Sequence, residues 1–200
     1  MPRPGYSAIS SFSRVRILHL LQESPQRTIS DLCEITGLHP NTVREHVQRL
    51  IDGGYVVPEV EKRTTRGRPR VLYSAADGVQ DWSPIAARKA RDAAERGDLM
   101  RRVMPWTDDH ALENDAVHQL DALVEDLGDA GFDPVVDQHQ LTVDLSPCPH
   151  AGTESGNRSV LCAVHLNLMD GVLAQARGPL RVEGMAPSCN PHDCVVHLTR

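Results

Sequence analysis

From Ser11 onward the hydrophobic positions of this 200-residue chain fall first at helical spacing, then at strand spacing, then at each in turn. Val15, Ile17, Leu18 and Leu21 predict a helix over 11–21. Ile29 to Thr36 predicts a second, and Gly37-Leu38-His39 a tight turn. Pro40 suits the first position of a third helix, because its missing N–H would be unpaired there anyway. In that helix Val43, Val47 and Leu50 recur at i, i+4 and i+7, giving one apolar stripe that must face a core. Gly53-Gly54 stops it. Tyr55-Val56-Val57 and Val71-Leu72-Tyr73 then read as the strands of a hairpin.

Beyond Ala75 a linker, DGVQDWSP, leads to an Ala/Arg-rich helix over 85–104 with a modest apolar face. A more strongly patterned helix over 113–127 places Val117, Leu120, Val124 and Leu127 at a and d positions. Short strands follow at 132–136 and 141–145, then a helix over 158–177 carrying Val164, Leu168 and Val172. Strands at 180–185 and 194–198 close the pattern. The expected class is α+β. Residues 1–76 form a helix-turn-helix with a hairpin, 77–130 a helical linker and dimerisation region, and 131–200 a small αββαββ domain. Cys33 lies in the second helix, where a small buried hydrophobe is the expected role.

Charge divides the chain further. The net charge of −6 conceals a first segment, 1–75, with 11 basic against 7 acidic residues, a balance of +4. The remainder holds 10 against 20, a balance of −10. A basic module on an acidic body fits a nucleic-acid reader whose other half does something else. Opposite the stripe of the third helix stand Asn41, Thr42, Arg44, Glu45 and Gln48, side chains able to read base edges in a major groove. Between the hairpin strands, Lys62-Arg63-Thr64-Thr65-Arg66-Gly67-Arg68-Pro69-Arg70 carries five positive charges and no acid. Such a loop beside a helix-turn-helix is a wing suited to phosphates or the minor groove, with Arg66 and Arg68 at its tip. The expected partner is double-stranded DNA. Because one such module reads only a short half-site, a homodimer is expected.

Four of the five cysteines fall in the last 53 residues of the chain: Cys148, Cys162, Cys189 and Cys194. In a chain with no signal-like N-terminus this clustering points to metal or redox chemistry rather than disulfides. Cys148 follows a strand, Cys162 and His165 share a helix face, and Cys189 and Cys194 bracket a Pro-containing loop before the last strand. Separate elements can thus bring several thiolates to one point, as an Fe–S cluster or zinc requires.

Several stretches are similar to winged-helix regulators of the arsenical-resistance repressor (ArsR-like) superfamily, in the branch containing the SufR iron–sulfur repressor. They are GLHPNTVREHVQRL, the wing ending GRPRVLYSA, the CP after a strand, the VCAVHLNLMDGVL helix and the terminal CVVHL. The resemblance implies a homodimeric repressor-type transcription factor. It also implies an Fe–S cluster (2Fe-2S or 4Fe-4S) held by Cys148, Cys162 and one of Cys189 or Cys194. The chain departs from the pattern at His150, where an aromatic is usual, and in a longer last loop. A fourth ligand, Cys189 or His165, therefore stays open, and zinc is the alternative metal.

Other classes leave weaker traces. An enzyme would need Cys162 activated by His165, but no phosphate loop, nucleophile elbow or paired-carboxylate motif accompanies them. A thiol–disulfide switch through Cys189 and Cys194 is a further alternative. No apolar run is expected to span the ~20 residues a bilayer needs, so the expected location is cytoplasmic, with no membrane partner.

Overall fold

The computed structural model describes residues 11–62, 69–76, 84–103, 112–148, 155–186, 190 and 192–200. The chain divides into two compact units, 1–86 and 87–200.

In the first unit, three helices support a hairpin. Helix α1 (Phe12–Glu23) buries Val15, Ile17, Leu18 and Leu21. Helix α2 (Ile29–Thr36) begins at a reciprocal cap, in which Thr28 N donates to Asp31 Oδ2 at 2.7 Å and Asp31 N to Thr28 Oγ1 at 3.2 Å. Two of the orphan donors of the first turn are satisfied in this way. Gly37, at φ 72°, ends the helix in the left-handed region where a Cβ would be strained. Helix α3 (Pro40–Gly53) turns Val43, Val47 and Leu50 into the core, as its stripe requires. Strands β1 (Val56–Val60) and β2 (Val71–Ala75) pair antiparallel, from Val56 opposite Ala75 to Val60 opposite Val71. Both run longer than the sequence pattern suggests. A bridge the pattern does not show ties Arg27 to β2: Arg27 N donates to Tyr73 O at 3.0 Å and Tyr73 N to Arg27 O at 2.8 Å.

In the second unit, helix α4 (Pro84–Val103) buries a stripe of Ala90, Ala93, Ala94 and Gly97. Gly97 faces α5 (Asn114–Ala130) so closely that a Cβ there would stand 2.6 Å from Asp121 Cβ. The crossing is laced by Arg96 to Glu125 (3.1 Å) and Asp129 (2.6 Å), and by Arg101 to Asp121 (2.7 Å). The buried face of α5 is rotated from the expected one. Ala116, Gln119, Leu120, Ala122, Leu123 and Leu127 point inward, while Val117 and Val124 are half-buried.

Strands β3 (Val135–Asp137) and β4 (Thr142–Asp144) precede helix α6 (Ser155–Ala176), and β5 (Arg181–Met185) and β6 (Val195–Thr199) follow it. The four strands form one antiparallel sheet in the order β3-β4-β6-β5, with helix α6 packed on α5 and β5. A wholly buried amide joins these layers. Gln119 Nε2 donates to Leu173 O (2.7 Å) and Leu180 O (3.1 Å), and its Oε1 accepts from Leu180 N at 2.7 Å. A side chain at Gly178 would collide with that amide.

One expectation needs correcting. Asn157–Ala176 is long and apolar enough, by length and composition, to cross a membrane, with a hydropathy of 1.3. The run escapes notice in the sequence because Arg158, His165 and Asp170 interrupt it. Here it packs on the sheet side, and Asp170 Oδ1 accepts from Val182 N at 2.8 Å.

Candidate nucleic-acid interface and thiol centre

Helix α3 presents Asn41, Arg44, Glu45 and Gln48 to solvent, while Thr42 is half-buried. Each exposed reader is engaged along the helix. Arg44 Nη1 donates to Asn41 Oδ1 at 2.9 Å, Gln48 Nε2 to Asp52 Oδ1 at 2.8 Å, and Arg49 Nη2 to Glu45 Oε1 at 2.7 Å. Behind them Arg14 is buried, and burial followed by the nearby Arg49 lowers its pKa. His46 is also pushed down, first by burial and then by Arg14, which favours its neutral form.

The wing root is tied rather than free. Arg70 Nε and Nη2 donate to the two Glu61 oxygens at 3.1 and 2.8 Å, and Glu61 N donates to Arg70 O at 2.9 Å. The hydrogen bond and charge of Glu61 raise the Arg70 pKa. One of the five wing charges therefore serves to fasten the two strands. Arg66 and Arg68 lie outside the described residues.

The second site is a small cavity of about 10 Å³, the size of a single water. Cys148, Cys162, His165 and Cys194 line it together with Phe132 and Met185. Cys148 is held just past β4 by its N–H donating to His192 O at 2.7 Å. Cys194 is held before β6 by its N–H donating to Ser146 Oγ at 3.0 Å, while Leu145 N donates to Cys194 O at 2.7 Å. Cys162 and His165 come from α6, and the His165 ring stacks on Phe132 at 4.8 Å and 18°. Cys148 and Cys194 are 8% and 6% exposed. Burial, then the charges of Cys148 and Cys162, push the Cys194 thiol up to about 12. Burial and Cys148 likewise raise Cys162. Cys33 belongs to the other unit and does not line the cavity. Cys189 and His150 lie outside the described residues.

The donor chemistry of this cavity fits a thiophilic centre. Soft thiolates select Fe–S clusters and zinc, and a bound cation would remove the like-charge penalty that raises these thiols. Their present spacing does not close on an ion. Among the described residues no three His, Cys, Asp or Glu side chains stand grouped to hold one.

Residues 13–57, from α1 into β1, match the family of winged helix-turn-helix DNA-binding domains. The N-terminal unit carries a winged helix-turn-helix DNA-binding domain. No curated protein matches the chain. The match stops inside β1, and β2, which completes the hairpin expected from the sequence, lies beyond it. Three features of this winged helix escape a reading of the sequence: the Arg27–Tyr73 bridge, the Glu61–Arg70 clasp and the burial of Arg14. Each depends on a partner distant along the chain. Glu61, adjacent to the basic loop, is the one signal that could have revealed the clasp.

Proposed function

We propose that this chain is a homodimeric, cytoplasmic transcriptional regulator whose affinity for a double-stranded DNA operator is set by a thiophilic centre in its C-terminal unit. The observation that carries this reading is the meeting of Cys148, Cys162 and Cys194 in one cavity, in a chain whose other unit binds DNA. These three residues would hold a [2Fe-2S] or [4Fe-4S] cluster, with Cys189 or His165 as the fourth position, and zinc as the alternative occupant. The bound group would supply the positive charge that lets three clustered thiolates sit together. The chain's own part is to present them from a strand end, a helix and a late loop, so that occupancy clamps those elements relative to one another.

Dimerisation is supported by an exposed apolar patch, where Leu99, Met100 and Val103 stand open at the end of α4. A second copy would cover it.

Anaerobic purification, an absorption spectrum and quantified iron, sulfide and zinc test the reading directly. Visible charge-transfer absorption with matched iron and sulfide supports the cluster. A colourless protein with stoichiometric zinc supports the structural alternative. A metal-free protein whose operator affinity ignores added iron, sulfide or zinc overturns both.

A further inference from the structure

We infer that Asp52 presets Gln48 of the recognition helix as a reader of adenine. The inference rests on the DNA-binding reading of α3 and concerns which base that helix selects. Gln48 is exposed on the face opposite Val43 and Val47, and its Nε2 donates to Asp52 Oδ1 at 2.8 Å. A carboxylate only accepts, so this partner dictates which end of the amide turns toward the helix. Asp52 lies one turn beyond Gln48 and takes one N–H. The amide keeps its carbonyl oxygen and its second N–H free.

An acceptor and a donor side by side match the adenine edge, where N6–H₂ donates and N7 accepts. Were the amide free to flip, the two groups would exchange places, and the pairing would have to be restored at the moment of binding. Asp52 removes that ambiguity beforehand. The other pairs on α3 act differently. Arg44 donates to Asn41 Oδ1, so the Asn41 amide turns its oxygen inward and leaves its NH₂ for acceptor edges. Glu45 is occupied by Arg49, which withholds the carboxylate that would otherwise accept from cytosine N4. Gln48 is thus the member of the exposed set that presents both an acceptor and a donor outward while a fixed partner sets their order.

The test selects duplexes from a random-sequence pool with the full chain and with Gln48→Ala, Asp52→Asn and Asp52→Ala. Competition titrations then use the selected duplex with each base pair substituted in turn. The unaltered protein should prefer adenine at one position per half-site. Gln48→Ala should lose roughly 5- to 150-fold of that preference and leave other positions intact. Asp52→Asn and Asp52→Ala should relax the same position by about twofold, the scale of a lost same-helix pair, with little change in binding to unrelated DNA. An effect at Gln48's position alone separates positioning from a loss of folding or of charge, which would move every position together. Unchanged preference in both Asp52 variants, or a Gln48 position that selects another base, overturns the inference while leaving DNA binding standing. Failure of the unaltered protein to select any duplex overturns the DNA-binding reading along with it.

Discussion

Asp31 and Gln119 show two ways in which a single polar side chain holds this fold. Asp31 closes the cap of α2, and the Thr28 backbone N–H, followed by the Thr28 hydroxyl, lowers its carboxyl below the usual value. A depressed folded pKa contributes stability that is present above the unfolded value, near 3.9, and is lost as pH falls through the folded one. The stability difference between the parent and Asp31→Asn should therefore be constant above about pH 5 and shrink toward about pH 3, as denaturation midpoints across pH will show. Thr28→Ala should cost about 1 kcal/mol at neutral pH. Gln119 acts from inside. Gln119→Leu fills the space but leaves Leu173 O, Leu180 O and Leu180 N without the side-chain partner they have now. A loss of at least ~2 kcal/mol in urea unfolding is expected, because a buried polar group without a partner costs about 1–3 kcal/mol. A neutral substitution would mean that water replaces the amide.

At the scale of elements, the crossing of α4 over α5 depends on Gly97. Adding a methyl there drives a carbon to 2.6 Å from Asp121 Cβ and into backbone of α5. Gly97→Ala should lower stability by about 1–3 kcal/mol and weaken the Arg101–Asp121 pair beside it. Parallel thermal unfolding of Gly97→Ala and Gly128→Ala checks this, since Gly128 has open space around it. This crossing also marks where the sequence stops being readable. Helix α3 is legible because Val43, Val47 and Leu50 are all strongly apolar, and Gly54 and Pro40 punctuate it. Helix α5 is misread by part of a turn because its inward face contains Ala116, Gln119 and Ala122, which carry little hydrophobic signal. Small residues are what a close crossing needs, and they are what periodicity overlooks. Strands β3 and β4 are legible as elements, but β3 begins at Val135 rather than Phe132. Phe132 instead stacks on His165, a contact set by packing across the unit that no local pattern announces.

For the whole molecule, the question is whether one unit influences the other. The cysteines of the cavity are legible because each sits at a recognisable place, a strand end, a helix face and the entry to a strand. Their convergence, expected from the resemblance, rests on the sheet order that puts β4 beside β6, which no local pattern announces. If occupancy of that cavity sets DNA affinity, Cys148→Ser, Cys162→Ser and Cys194→Ser should each lose the metal and share one operator affinity, that of the metal-free protein. Cys33→Ser should match the parent. An allosteric coupling of ~1–3 kcal/mol corresponds to roughly 5- to 150-fold in operator affinity. Fluorescence titration at matched salt measures it, and equal affinities with and without metal would make the cavity purely structural.

The order β3-β4-β6-β5 has a consequence for how the molecule comes into being. Of these four strands the latest in sequence, β6, is not an edge but an interior one, bonded to β4 on one side and β5 on the other. While the chain grows from the ribosome, β4 and β5 have no hydrogen-bonded contact until 195–199 emerge to lie between them. The winged helix, complete in sequence by then, needs nothing from that strand to fold, as N-terminal units generally fold first during synthesis. A nascent chain stalled before Val195 would therefore hold a finished DNA-binding unit beside an unfinished sheet. Protease digestion of ribosome-bound chains of increasing length should show the two units gaining resistance in separate steps, the second only once β6 is free.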